Sequence, residues 1–217
     1  MTELKAREIN GFFPKDEYEK LIDTLLVYEW GQKLLMAKMQ IIFDSQKHFQ
    51  NHNPVEHVKA RVKSPESIAG KLRQLNMDIT VDNARQALKD LAGIRIICSY
   101  AKDIYYLAEI LESIPGTEVL EKKDYVSHPK KSGYRSYHLT LNVSVFHSGI
   151  TETIPIEIQL RTAAMDFWAT LEHKVRYKYK DHIPKHLSDE LSICAEKTAE
   201  LDNRMFLIHD IISLINQ

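Results

Sequence analysis

Two stretches that alternate between polar and apolar residues place the strongest constraint on the fold. They span Tyr137–Phe146 and Glu152–Arg161 and flank His147-Ser-Gly149. Because the side chains of a strand point alternately to its two faces, the pattern predicts an antiparallel hairpin with one apolar and one polar face. The polar face carries His138, Thr140 and Asn142 on the first strand and Glu157, Gln159 and Arg161 on the second. This face is either the solvated side of a sheet or the floor of a polar cleft, and the two stretches alone do not decide between these.

Helical and strand patterns alternate along the rest of the chain. Apolar residues three and four apart predict a long helix at Lys15–Gln50, whose stripe is interrupted only by Gln32. Ser64 and Pro65 have the residue types of an N-cap and a first helical turn. The other predicted elements are a short helix at Asp82–Lys89, strands at Leu91–Cys98 and Thr117–Lys123, and helices at Asp103–Ser113, Ala163–Tyr179 and Lys185–Gln217. This order predicts an α+β fold, in which helices pack on a mixed sheet within one domain spanning 1–217.

Two carboxylates accompany the predicted strands. Asp90 directly precedes Leu91–Cys98, and Glu157 lies on the second strand of the hairpin. On neighbouring strands they would suit Mg²⁺, which uses one or two carboxylates together with phosphate oxygens and water. Taken alone, Asp90 is better explained as an ordinary carboxylate in a loop or at a helix end.

Two basic clusters lie near these strands. The first contains Arg61, Lys63, Lys71 and Arg95. If its members converge, they suit a polyphosphate, whose transfer depends on positioning and on charge neutralisation. The second, Lys130–His138, combines cations with Tyr134 and Tyr137 next to Gly133, which suits a base stacked on an aromatic ring with phosphates nearby. Taken singly, each run is more typical of a solvated surface.

Net charge and cysteine content narrow the classes of protein to which the chain can belong. The 29 basic and 30 acidic residues give a formal net charge of −1, so the basic clusters are local and the chain is not a general polyanion binder. Cys98 and Cys194 are far apart, which argues against a disulfide framework or a cysteine zinc site and suits a reducing compartment. Since no apolar signal core follows Met1 and no apolar run is long enough to cross a membrane, we expect a cytoplasmic protein.

Six blocks, in one order, resemble the synthetase domain of the RelA/SpoT family between about residues 54 and 184. The blocks are Arg61–Ile68 with Lys71, Asp90–Arg95, Ser132–His138, Glu157–Thr162, Phe167–His173 and Tyr177–Tyr179. The length is similar to that of the small alarmone synthetases, which lack hydrolase and regulatory domains, and Ser64–Ser67 and Met165–Ala169 resemble the RelP branch more than the RelQ branch. The resemblance implies a nucleotidyltransferase-like synthetase fold of about five strands. It also implies Mg²⁺-dependent transfer of a pyrophosphoryl group from ATP to the ribose 3′-hydroxyl of GDP or GTP, without hydrolase activity.

The resemblance implies roles for residues on the ATP side. Arg61 and Arg95 would hold the adenine between their guanidinium planes, a contact for which Arg is suited and Lys is not. Lys63, Ser67 and Lys71 would contact the ATP phosphates, with backbone donors at the helix start contributing.

The resemblance likewise implies the metal and acceptor residues. Asp90 would bind Mg²⁺, and Glu157 would either share the metal or accept the proton of the attacking hydroxyl. The residues implied for the guanine nucleotide are Tyr134 for stacking, Lys130 and His138 near the phosphates, Gln159 and Arg161 as support for the cleft, and Asp166 at the guanine edge. Some relatives carry Asn at the place of Asp166, so the preference between GDP and GTP stays open.

Two other functions are compatible with the same residues. One is pyrophosphoryl transfer to a different acceptor, such as the 3′ end of tRNA or an adenine nucleotide. The other is a non-catalytic RNA-binding or regulatory module that keeps the nucleotide pocket, which the presence of both Asp90 and Glu157 disfavours. RNA binding is possible, but nothing in the sequence indicates it. The helices at 15–50 and 185–217 exceed what the sheet needs. As the resemblance implies, we expect them to form the interfaces of a homotetramer.

Overall fold

The predicted hairpin lies at the centre of a mixed sheet, in a computed structural model that describes residues 12–49, 53–179 and 183–215. The strands are β1 (Val55–Val62), β2 (Ala92–Cys98), β3 (Thr117–Asp124), β4 (Tyr137–His147) and β5 (Ile150–Thr162). Their order is β1-β2-β5-β4-β3, with β2 and β5 parallel and the other neighbours antiparallel. The prediction of an α+β fold with a mixed five-stranded sheet is therefore confirmed.

Six helices accompany the sheet in the described part of the chain. They are α1 (Lys15–Phe49), α2 (Pro65–Gln74), α3 (Val81–Ala87), α4 (Ala101–Glu112), α5 (Ala163–Lys178) and α6 (Lys185–Ile215). Ser64 caps α2 as predicted, because its hydroxyl accepts a hydrogen bond from the amide of Ser67 at 3.3 Å. The short third helix begins one residue earlier and ends two residues earlier than predicted, since Thr80 is its N-cap. The predicted ends at Gln50 and Gln217 lie outside the described residues.

The apolar face of the sheet forms the main core. Its fully buried side chains include Ile94, Ile96, Leu139, Leu141, Ile158 and Leu160. α1 packs closely on this face, because a Cβ at Gly31 would lie 2.7 Å from the side chain of Ile154 and 2.9 Å from that of Val145. Burying an aliphatic side chain of this size stabilises the fold by about 1.5–3 kcal/mol. The polar face of the hairpin therefore points away from the core.

The sequence pattern does not predict β1. This strand lies at the edge of the sheet, and five of its eight residues are exposed, so it lacks regular apolar alternation. Charged side chains of this kind are usual on edge strands, where they discourage pairing with other chains. The register pairs Arg61 with Gly93 and Lys59 with Arg95. Arg61 is therefore part of the sheet and not of a loop before α2.

Gln32, which interrupts the apolar stripe of α1, is buried at the base of β1 and β2. It is 6% exposed, and its Nε2 donates hydrogen bonds to the carbonyls of Arg61 and Gly93, both at 2.9 Å. A buried amide with satisfied donors stabilises a defined arrangement of the groups it joins. Gln32 thus ties the long helix to the two strands that carry Arg61 and Arg95.

The C-terminal helix α6 has a largely exposed apolar surface. Its exposed large apolar side chains are Ile193, Leu201, Met205, Leu207, Ile208, Ile211, Ile212, Leu214 and Ile215. Among the described helices, α6 included, none combines the length and hydropathy needed to cross a membrane.

Candidate active site

The polar residues predicted to share one face of the hairpin lie on the open side of the sheet. The register places Gly93 opposite Glu157, and Arg95 opposite Gln159 on β5. On the other side of β5, His138 lies opposite Gln159. Because paired residues project to the same face, basic, acidic and imidazole groups from four strands converge there.

A pocket of about 440 Å³ opens on this face at the β1–β2 edge, and we call it the strand pocket. Its lining residues are Lys59, Ala60, Arg61, Asp90, Gly93, Ile94, Arg95, Glu157 and Gln159. The face is therefore a cleft and not only a solvated surface. Lys59 was not predicted to belong to it, because β1 was not recognised as a strand.

A second pocket, of about 290 Å³, adjoins the first, and we call it the tyrosine pocket. Its lining residues are Arg61, Arg95, Tyr134, Arg161, Ala169, Thr170, Glu172, His173 and Lys174. Arg61 and Arg95 line both pockets, so these two guanidinium groups stand at the border between them. The α5 residues of the tyrosine pocket were not predicted, since helical periodicity does not indicate which polar side chains face a cleft.

Lys63 and Asp90 form a close ion pair at the entrance of β2. The Lys63 Nζ donates to Asp90 Oδ2 at 2.6 Å, and the Asp90 side chain remains 41% exposed. The backbone amide of Lys63 also bonds to the carbonyl of Leu91 at 2.8 Å, which fixes the approach of the chain into α2. Lys63 and Asp90 therefore form an ion pair next to the strand pocket. A phosphate could replace Asp90 as a partner of Lys63, and a metal ion could replace Lys63 as a partner of Asp90.

Glu157 is oriented by two neighbours. Its Oε1 lies 3.0 Å from His138 Nδ1, and its Oε2 accepts from Gln159 Nε2 at 2.6 Å. Burial raises the pKa of this carboxyl, but the hydrogen bond and charge of His138, the bond from Gln159 and the charge of Lys63 together outweigh burial, so the pKa lies below its usual range. Glu157 is therefore ionised at neutral pH and held in one orientation.

Hydrogen bonds connect Tyr134 to β4 and β5. Its hydroxyl lies 2.8 Å from His138 Nε2 and accepts from Arg161 Nη2 at 2.7 Å. The same Nη2 donates to Gln159 Oε1 at 3.0 Å, and the Arg161 side chain is 5% exposed. The ring of Tyr134 also faces Lys130, whose Nζ lies 4.9 Å from the ring centroid. The predicted acceptor residues are thus brought into one connected group.

Asp166 forms ion pairs with one arginine that lines both pockets and with one that lines the tyrosine pocket. Its Oδ1 accepts from Arg95 Nη1 at 3.0 Å and from Arg161 Nη1 at 2.9 Å. Burial lowers the pKa of Arg95, and the charge of Arg161 acts in the same direction, while Asp166 opposes both. The Arg95 Nε is buried and has no hydrogen-bond partner among the described residues. A buried donor of this kind is costly in an isolated fold and is suited to a ligand.

Ser67 and Lys71 lie on α2, and neither is among the described residues that line the two pockets. Both are exposed. Lys71 is nevertheless close enough to contribute to the lowered pKa of Lys130, whose main cause is burial. Their predicted contacts with ATP phosphates therefore depend on a ligand that extends from the strand pocket towards α2.

The donor set of the strand pocket fits Mg²⁺ better than zinc. Asp90 and Glu157 both line the pocket. In the described ranges, no group of three or more His, Cys, Asp or Glu side chains is arranged to hold a metal ion by itself. Mg²⁺ typically takes one or two protein carboxylates and completes its octahedron with phosphate oxygens and water, whereas zinc sites supply three or four protein ligands.

Comparisons with known proteins agree with the arrangement. Residues 60–182 match the family model described as a region found in RelA / SpoT proteins. GTP pyrophosphokinase YwaC of Bacillus subtilis is 43% identical over 84% of this chain and 87% of its own length. Small alarmone synthetase 1 of B. subtilis bound to its product pppGpp matches with a TM-score of 0.83 and 32% identity, over 90% of this chain and 99% of that one. The same enzyme bound to AMPCPP matches with a TM-score of 0.75 and 29% identity, over 90% and 98%.

Proposed function

Because the chain belongs to the RelA/SpoT family and is a GTP pyrophosphokinase, we propose that ATP binds in the strand pocket and the guanine nucleotide in the tyrosine pocket. The reaction moves the β,γ-pyrophosphoryl group of ATP to the ribose 3′-hydroxyl of GDP or GTP. AMP is released, and ppGpp or pppGpp is formed. The structures of a relative with pppGpp and with AMPCPP support these substrate classes.

The observation that carries the proposal is the position of two arginines at the border of the pockets. Arg61 and Arg95 come from neighbouring strands and line both pockets. A planar guanidinium stacks on an aromatic base, which an ammonium group does not do. The Nε of Arg95, which is buried and has no partner in the described part of the chain, adds a donor that a ligand can satisfy. We therefore assign the adenine to the space between these two side chains.

The phosphates of ATP would extend from the adenine towards Lys63 and Asp90. Lys63 would exchange part of its ion pair with Asp90 for a phosphate oxygen, and the exposed side of Asp90 is open to a metal ligand. Bound by Asp90 and Glu157, Mg²⁺ would neutralise the charge that develops on the transferring phosphates. Lys71 and Ser67 on α2 would contact the distal phosphates.

Glu157 is assigned as a metal ligand and not as the proton acceptor. A general base works best when its pKa lies near the operating pH. The pKa of Glu157 is lowered, and both of its oxygens have hydrogen-bonded neighbours, which suits a carboxylate that orients a metal. His138 and Gln159 then act by fixing that carboxylate.

The guanine nucleotide would stack on the ring of Tyr134. Lys130 lies against the same ring, and His138 against its hydroxyl, so a cation and an imidazole are available to the acceptor's phosphates. Both ion pairs of Asp166 are made by Oδ1, and we assign its contact with the guanine edge to Oδ2. Arg161 supports the cleft from below by bonding to Tyr134 and Asp166.

The chemical step follows from these positions. The 3′-oxygen of the acceptor attacks the β-phosphorus of ATP in line with the bond to the α-phosphate oxygen. The new bond joins the 3′-oxygen to the β-phosphorus, and the bond between the β-phosphorus and the bridging oxygen breaks to release AMP. The proton of the 3′-hydroxyl passes to water. The residues contribute positioning and charge neutralisation, which carry most of the catalysis in phosphoryl transfer.

We propose a homotetramer as the assembled form, with the terminal helices at its interfaces. The exposed apolar side chains of α6 form a surface of the kind that oligomers bury. We expect a tetrameric mass by light scattering at micromolar concentration, and a monomeric mass would contradict this assignment. Free Cys98 and Cys194 are compatible with a cytoplasmic location, which we propose for the protein.

Product analysis tests the proposed function. The protein is incubated with Mg²⁺, ATP and either GDP or GTP, and the products are separated and identified. We expect AMP and a 3′-pyrophosphorylated guanine nucleotide in equal amounts. A guanine nucleotide that lacks the 3′-hydroxyl is the matched control and should give neither product. Transfer to an adenine nucleotide, or to tRNA in a parallel incubation with tRNA added, and none to GDP or GTP would refute the proposed acceptor.

A further inference from the structure

Tyr134, on the proposed acceptor side, lies on a loop that is closed on itself. The amide of Gly133 bonds to the carbonyl of Lys130 at 2.8 Å, and the amide of Lys130 bonds to the carbonyl of Tyr134 at 3.1 Å. Gly133 has a φ of +87°, a left-handed conformation that favours glycine. Besides the hydrogen bonds of the Tyr134 hydroxyl to His138 and Arg161, the position of this loop relative to the strands depends on what its backbone packs against.

The loop packs against the N-terminal half of α6. A Cβ added to Gly133 would lie 2.3 Å from the Cβ of Ala195, so the loop backbone approaches α6 more closely than two ordinary side chains allow. Ala195 is 7% exposed and belongs to a small hydrophobic cluster with Trp168 and Ala169. Tyr134 packs against this cluster. The contact requires a glycine on the loop and a small residue on α6.

α6 also holds the helix that forms the other side of the tyrosine pocket. The indole Nε1 of Trp168 on α5 donates to the carbonyl of Leu191 on α6 at 2.9 Å. Further along α6, Asp202 Oδ2 accepts from the hydroxyl of Thr162 at 2.8 Å. The same hydroxyl accepts from the amide of Met165 at 3.2 Å and so caps the start of α5. Asp166, which bonds to Arg95 and Arg161, lies in that first turn of α5.

We propose that Leu191, Ala195 and Asp202 of α6 are positioning residues for the guanine nucleotide, acting through the Lys130–Tyr134 loop and through the start of α5. This inference rests on the proposed function, because it assigns the guanine nucleotide to the tyrosine pocket. No residue of α6 lies among the described residues that line the strand pocket. No residue of α6 lines the tyrosine pocket in the described ranges either, so α6 acts on the acceptor through the elements that carry Tyr134 and Asp166. It reaches the ATP side only through the ion pair of Asp166 with Arg95, so we expect a larger effect on the affinity for the acceptor than on the affinity for ATP.

The first test enlarges the contact at Ala195. In the full-length protein, Ala195→Leu forces the loop away from α6, and we expect the KM for GDP or GTP to rise on the order of tenfold, since overpacking a tight contact is strongly unfavourable. The KM for ATP should change by less than about twofold, because Gly133, which Ala195 contacts, is not among the described residues that line the strand pocket. Lys197→Leu, two residues away on the exposed surface of α6, is the matched control and should leave both constants unchanged.

The second test keeps the inference falsifiable if Ala195→Leu does not fold. Asp202→Asn preserves an oxygen that accepts from Thr162, whereas Asp202→Ala removes it. We expect Asp202→Ala to raise the acceptor KM by about fivefold, the usual effect of a lost hydrogen bond, while Asp202→Asn stays near the wild type. A structural defect would instead lower the melting temperature and affect both substrates.

The outcomes separate the two proposals. If the wild-type protein forms no 3′-pyrophosphorylated guanine nucleotide, the proposed function is refuted. If the wild-type protein is active, two results overturn the role of α6: an unchanged acceptor KM in folded Ala195→Leu, or an equal rise of both KM values. Equal kinetics of Asp202→Ala and Asp202→Asn would overturn the contribution of Asp202.

Discussion

The strand pocket and the tyrosine pocket share two arginines, but they are built differently. Every residue that lines the strand pocket, apart from Asp90, belongs to β1, β2 or β5, and β2 and β5 are anchored in the main core through Ile94, Ile96 and Ile158. The tyrosine pocket is completed by Tyr134, which follows a glycine turn, and by α5 residues, both braced by a small cluster around Trp168. The strand pocket is therefore formed almost entirely by the sheet. The tyrosine pocket also depends on a loop and a helix that pack against the sheet.

This difference indicates which part of the cleft holds its side chains in fixed positions and which part tolerates change. Residues on strands of a well-packed sheet keep their relative positions, because moving them disturbs the core. A loop held by a few contacts opens at lower free energy and is easier to change by mutation. We therefore expect the chemistry and the ATP contacts to be sensitive to substitutions in the sheet, and acceptor affinity to be sensitive to substitutions outside it.

The largest expected effect is on turnover when the carboxylates of the strand pocket are neutralised. Asp90→Asn and Glu157→Gln should each lower kcat by about 100-fold to 1000-fold or more, since each removes a group that stabilises transition-state charge. The circular dichroism spectrum should remain that of the wild type. Glu118→Gln, on the exposed side of β3, is the control and should keep full activity. Full activity of either carboxylate variant would refute the assigned site.

The next effect concerns stability and compares the two cores directly. Ile96→Ala should lower the free energy of unfolding by about 2–5 kcal/mol, because it leaves a cavity in the fully packed main core. Leu191→Ala removes a side chain that is only partly buried against the small cluster and should cost about 1–2 kcal/mol. Both are measured by urea unfolding at one protein concentration. Equal losses would mean that the small cluster is as firmly packed as the main core.

A smaller effect is expected at the border of the two pockets. Arg95→Lys should raise the KM for ATP by about tenfold, because lysine neither stacks on the adenine nor reproduces the guanidinium geometry towards Asp166. Steady-state kinetics with ATP varied at saturating GDP measures this constant. Arg204→Lys, at an exposed ion pair on α6, should behave as the wild type. An unchanged KM for ATP would place the adenine elsewhere.

The smallest effect is expected from the hydroxyl of Tyr134. Tyr134→Phe keeps the ring for stacking but removes the hydrogen bonds to His138 and Arg161, so the KM for GDP or GTP should rise by about three- to fivefold. The KM for ATP should stay constant, as measured in the same assay. A rise confined to ATP would reverse the assignment of the two pockets.

The sequence predicts the parts of the cleft that follow strand periodicity. Glu157, Gln159 and Arg161 were expected on one face because they alternate with isoleucines and a leucine, and the register confirms it. β1 escaped prediction because an edge strand with five exposed residues has no buried face to produce alternation. Gln32 was seen only as an interruption of a helical stripe. Its two hydrogen bonds join segments that are far apart in sequence, so spacing alone carries no information about them.

The tyrosine pocket could be predicted only as a set of residue types. The group formed by Tyr134, Arg161 and Asp166 joins a loop, a strand and a helix, and its geometry depends on how these elements pack. The close approach of Gly133 to Ala195 likewise has no local signal beyond a glycine in a basic segment. The family resemblance supplied the roles of these residues, and those roles remain predictions.

A structure of the protein with AMPCPP bound tests the central claim most directly, because it shows which half of the cleft holds the donor nucleotide. We predict that the adenine lies between the guanidinium groups of Arg61 and Arg95, with the phosphates directed towards Lys63 and Asp90. An adenine stacked on Tyr134, with the strand pocket empty, would contradict the assignment of donor and acceptor to the two pockets.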